Sequence, residues 1–227
     1  MFFPFPTSIQ GGPAGRMPPI ANSVIIAINV LLYCLGFSAA WGVGRGSSPL
    51  GILTHGFVHA SALHLLGNMW LLQLFGNAVN RRLGNELYTL CYLGTVMAVG
   101  LCGWIAADGI LVGSSGAIYG MMGIATLLLP AARVRIYYVA LFPITLIVGL
   151  FQRPAHWLGW IIRWDHFSCL MLWAIALVPM IELFGLWNWY RVGLWSWTHL
   201  AHLLGFGFGI TAVLLLPTRV SLRPATA

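Results

Sequence analysis

Charge is what this chain has least of. Four acids and eleven bases make up only 7% of its 227 residues, against about 25% in an ordinary soluble domain. So few charges cannot cover the surface of a water-soluble globule. A hydrophobic content of 59% likewise excludes disorder. Lysine is missing altogether, so every base is an arginine. The arginines stand singly or in pairs with no basic stripe, and the net charge of +7 therefore does not point to nucleic acid. Cysteine is scarce too. Cys34, Cys91, Cys102 and Cys169 lie within apolar runs with no CxxC pair, which excludes a disulfide scaffold and leaves them as small buried hydrophobes. The class that remains is an all-α polytopic membrane protein. A transmembrane β-barrel would alternate apolar and polar residues, whereas the apolar runs here are unbroken.

What the chain does have is long hydrophobic runs. Residues 1–19 are rich in Pro and Gly and read as a short flexible lead. Apolar runs follow at about 20–38, 61–79, 86–106, 113–130, 168–187 and 198–216, each close to the ~20 residues that a bilayer core demands. Residues 20–216 thus read as one membrane domain and 217–227 as a short tail. Residues 136–151 are apolar but short and interrupted by Pro143, which suits a re-entrant or interfacial segment. Arginine placement tests the count. With six spans and both termini cytoplasmic, Arg16, Arg81, Arg82, Arg133, Arg135, Arg153, Arg163, Arg219 and Arg223 all lie inside. Only Arg45 and Arg191 lie outside. Were 136–151 also to span, Arg153, Arg163, Arg219 and Arg223 would move outside and the bias would vanish.

Three polar clusters stand at the outer ends of these runs. His64 and Asn68 are four residues apart and share one helix face, where two donors could hold an oxyanion or simply pair two helices. The stretch Gly113-Ser-Ser115-Gly116-Ala-Ile-Tyr119-Gly120 opens the fourth span. A serine there meets free backbone N–H groups and the positive end of the helix dipole. A serine cap ahead of a glycine packing face would look the same. His202, with Gly205 and Gly209 near its face, opens the sixth span, where a close neighbour can pack beside the imidazole. Nucleophile, base and oxyanion donors would then converge at one depth. No carboxylate accompanies them: Asp108 falls in an outer loop and Glu182 in the fifth span. A hydrolase built this way is a Ser–His dyad.

At this point the chain resembles the rhomboid family of intramembrane serine proteases, of bacterial type. The likeness rests on HxxxN (His64, Asn68), GxSGxxYG (Gly113, Ser115, Gly116, Tyr119, Gly120) and AHxxGxxxG (Ala201, His202, Gly205, Gly209), in that order. It implies a six-helix bundle with an extra membrane-associated segment, about 136–163, between the fourth and fifth spans. It implies Ser115 as nucleophile and His202 as general base. His64, Asn68 and the Ser115 backbone N–H would form the oxyanion hole, and Tyr119 would stack on His202. The implied substrates are single-span proteins of a bacterial inner membrane, cleaved in or near their transmembrane segments, with no metal or other cofactor. His55, His59 and His199 receive no catalytic role. Two positions depart from the family: Leu50-Gly51 in the first outer loop and Asn80 before Arg81-Arg82-Leu83-Gly84. Both bear on loop bracing rather than on the chemistry.

Rival readings stay open. One is an inactive rhomboid-like protein that captures membrane helices. Another is a metal or haem protein ligated by His55/His59 or His199/His202.

Overall fold

The structure is a computed structural model that describes residues 2–10, 18–151, 153 and 156–215. Arg16, Arg219, Arg223 and the 217–227 tail lie outside the described residues.

The chain opens with a strand, β1 (Phe2–Gln10), and then a helix, α1 (Ile20–Cys34). A loop carries the short turn α2 (Gly51–Thr54). Next come α3 (Ala62–Leu71), a π-helical turn at Leu72–Gly76 and α4 (Asn77–Leu83), which run end to end. After Gly84, whose φ of +83° suits a residue without Cβ, α5 (Asn85–Ala106) returns. A loop leads to α6 (Ser115–Leu128). Beyond it stand β2 (Arg133–Leu141), α7 (Ile144–Phe151) and β3 (Ile162–Leu170). Two long helices close the chain, α8 (Met171–Arg191) and α9 (Trp197–Leu215).

Among the described residues three helices, α5, α8 and α9, are long and apolar enough to cross a bilayer. The apolar helices α1 and α6 are shorter. The protein is an integral membrane protein whose helices pack around a core that includes Leu72, Tyr88, Tyr92, Ile118, Met121 and Ile124.

At one end of the bundle a network of neutral amides ties the helices. Two N–H groups at the start of α1 have no helical acceptor. Asn85 accepts from Ala21 at 3.1 Å and Asn80 from Asn22 at 3.0 Å. Asn22 in turn donates to Asn77 at 2.7 Å and to the Leu72 carbonyl, at the start of the π turn, at 3.0 Å. Asn80, the residue that departs from the family pattern, is thus a buried helix cap.

The all-α expectation needs correction. β1, β2 and β3 form an antiparallel sheet with β2 in the middle. Residues 2–10, read as part of a flexible lead, pair with β2. The extra segment read at 136–163 begins within β2 and ends within β3. The reason lies in its residues: Arg133-Val-Arg-Ile-Tyr-Tyr-Val is rich in β-branched and aromatic side chains. Val134, Tyr138 and Ala140 are buried on this strand. Hydropathy alone cannot separate such a strand from a short apolar helix.

Candidate active site

α6 and α9 make the closest helix contact of the site because both present glycine there. A methyl group on Gly205 would collide with the Gly116 carbonyl oxygen, and one on Gly209 with that of Gly120. This approach brings His202, on α9, to the first residue of α6. Its Nε2 lies 2.9 Å from Ser115 Oγ. With the imidazole proton on Nδ1, Nε2 accepts from the serine hydroxyl. Tyr119, one turn along α6, stacks on the imidazole at 4.2 Å between centroids and 10° between planes. The ring is therefore held flat against a wall.

Gly113 shapes the loop before α6. Its φ of +111° disfavours any side chain. A Cβ there would also stand 2.6 Å from His64 Cε1 and 3.2 Å from Asn68 Nδ2. Its N–H donates to the His55 carbonyl at 2.8 Å, which pins the loop to the turn after α2. His64, Asn68, Gly113, Ser115, Tyr119 and His202 line one cavity of about 400 Å³. Asn68 is buried, and its Nδ2 has no hydrogen-bond partner among the described residues. Ser115 is the first residue of α6, so its N–H belongs to the unpaired first turn. His64, Asn68 and the first turn of α6 thus share one cavity with the serine.

The remaining histidines do other things. His55 is buried and pairs its Nδ1 with the Gly51 carbonyl at 3.0 Å. His59 packs edge-on against His64 at 5.1 Å, and burial, with His64 nearby, pushes its pKa down to about 4. His166 stacks on Tyr137 within the sheet. His199 hydrogen-bonds Glu182.

Residues 47–219 match the rhomboid domain. The chain belongs to the rhomboid domain family. The matched stretch holds every residue named in the cavity, along with Glu182, and leaves β1 outside. The chain is also 35% identical over 77 residues to rhomboid-like protein 11, chloroplastic, of Arabidopsis thaliana. That likeness covers 33% of this chain and 28% of the plant protein's length.

Within this rhomboid site, one expectation fails. The dyad was expected to stand without a carboxylate, yet Glu182 Oε1 lies 3.2 Å from His202 Nδ1. The signal was present in the sequence: Glu182 is the one acid in the interior of an apolar run, and an intramembrane charge is a candidate functional residue by default. Its partners were hidden because they sit on other helices. For the metal reading, no group of three His, Cys, Asp or Glu among the described residues is arranged to hold an ion.

Proposed function

We propose that this rhomboid-domain protein is an intramembrane serine endopeptidase acting on single-span membrane proteins. The observation that carries this reading is the 2.9 Å contact between Ser115 Oγ and His202 Nε2 at the cavity wall. His202 Nε2 takes the hydroxyl proton as Oγ attacks the scissile carbonyl carbon. The carbonyl oxygen becomes an oxyanion, stabilised by Asn68 Nδ2, His64 and the Ser115 N–H. The intermediate collapses, the C–N bond breaks, and His202 returns the proton to the leaving amine. Water then enters, gives its proton to His202 and releases the acyl group by the reverse path.

The topology that suits this chemistry has six spans with both termini cytoplasmic, in a bacterial inner membrane. Nine arginines on one side support it. The site then opens outward, and the substrate helix enters sideways and unwinds to expose its backbone.

A fluorophosphonate probe tests the reading. Ser115 of the purified protein should become labelled, and Ser115→Ala should abolish the adduct. His202→Ala should slow labelling by about 10³-fold or more, as loss of the base does in other serine hydrolases. Wild-type protein that stays unlabelled in several detergents, yet binds membrane helices, would instead support the inactive helix-capturing protein.

A further inference from the structure

The four acids of this chain are placed very differently. Glu86 sits in the first turn of α5, Asp108 in the loop after it and Asp165 in β3. Glu182 lies in the middle of α8 with its side chain only 6% exposed. A carboxylate in so apolar a place is costly unless donors surround it. Three do. The Tyr119 hydroxyl, from α6, donates to Oε1. His199 Nδ1, from α9, lies 2.5 Å from Oε2. His202 Nδ1, also from α9, lies 3.2 Å from Oε1. Among the described residues, these two imidazoles are the only basic side chains within ion-pair distance of it.

The arrangement is built and not incidental. Gly185, one turn after Glu182, leaves the space in which His199 lies: a Cβ there would come within 2.6 Å of His199 Nε2. Tyr119 does two jobs, stacking its ring on His202 and aiming its hydroxyl at Glu182. His202 Nδ1 lies within ion-pair distance of Oε1 but outside hydrogen-bond geometry. Catalytic hydrogen bonds commonly tighten only once substrate is bound.

We propose that Glu182 is a positioning residue that extends the Ser115–His202 pair to a triad. The inference rests on the protease reading above. The carboxylate keeps the imidazole proton on Nδ1, so that Nε2 is free to accept from Ser115. It then balances the positive charge on His202 while the tetrahedral intermediate exists. Tyr119 and His199 hold the carboxylate and do not touch the reacting atoms. A purely structural reading makes Glu182 only a tether between α8 and α9 through His199.

Two measurements separate these. The first compares wild type and Glu182→Gln in proteoliposomes with a single-span substrate. Gln keeps the shape but loses the charge and can present an amide donor to Nδ1. The expected result is a fall in kcat of about 10²- to 10⁴-fold, its upper end the loss caused by the matching change in a serine protease triad. KM and the detergent melting temperature should stay near wild type. A kcat within about threefold of wild type, or a loss that merely follows a fall in melting temperature, overturns the proposal. The second uses ¹⁵N-histidine protein in lipid, with the His202 signals assigned by a His202→Gln variant. His202 should carry its proton on Nδ1 in the wild type. A resting proton on Nε2 overturns the proposal even if Glu182→Gln does not fold. Wild type that is inactive and unlabelled at Ser115 defeats the protease reading instead, while the tautomer measurement still decides whether Glu182 orients His202.

Discussion

Asn68 presents an unpaired amide nitrogen to the cavity beside Gly113. A buried donor without a partner costs free energy, and in the proposed protease the oxyanion would be its acceptor. Asn68→Ala should lower kcat by about 10²- to 10³-fold, as loss of one oxyanion donor does elsewhere. The melting temperature should change little, because no hydrogen bond among the described residues is lost. Equal losses of activity and stability would mark a structural amide instead. His59 behaves differently. Its pKa is near 4 when folded and 6.5 when free. Between these values the unfolded chain binds a proton that the folded chain refuses, so stability falls as pH drops from about 6.5 to 4. His55, also buried, has its pKa lowered too and adds to the same trend. His59→Phe should flatten the dependence of melting temperature on pH in detergent. An unchanged slope would show that His59 is not a source of it. Ser115, His202 and Tyr119 were legible in the sequence because each sits in a short pattern with glycine at fixed offsets. Glu182 stood out as an acid inside an apolar run, but its partnership did not, because its bond to Tyr119 crosses 63 residues and no local pattern joins the two.

The α6–α9 contact carries the site at the next scale. Gly209→Val would drive a side chain into the Gly120 carbonyl, at a cost of about 1–3 kcal/mol or more. Because His202 rides on the same helix, Ser115 labelling should fall along with the melting temperature. Gly207→Ala is the matched control. It lies on α9 with nothing within 4 Å of a new Cβ, and alanine favours the helix. Both should be compared by thermal scanning and probe labelling. Equal effects of the two would show that the contact is not tight. The helix starts were readable from apolar runs and glycine: the run at about 86–106 is Asn85–Ala106, and that at 198–216 is Trp197–Leu215. The sheet was not readable. β1 pairs with a strand whose residues stand well over a hundred positions later, for example Phe5 with Tyr137. Pro4 and Pro6 gave β1 the look of an unstructured lead.

For the whole molecule, the sheet bears on how the chain sits in lipid. An open sheet edge leaves backbone groups unpaired, which hydrocarbon does not tolerate. Exposed Trp157 and Trp164 are the kind of side chain that gathers at the membrane interface. These features suit an interfacial place for β2 and β3, which carry Arg133, Arg135 and Arg163. Whether the Ser115–His202 pair cleaves membrane helices is decided by proteolysis in a defined bilayer. Purified protein and a single-span substrate with small residues near one end of its span would be co-reconstituted into liposomes. Products would be read by mass spectrometry for wild type, Ser115→Ala and His202→Ala. Wild type should give a single cut in or beside the span, and either variant none. Cleavage that persists in Ser115→Ala would contradict that role for the pair, and so would a wild type that leaves a range of such substrates intact.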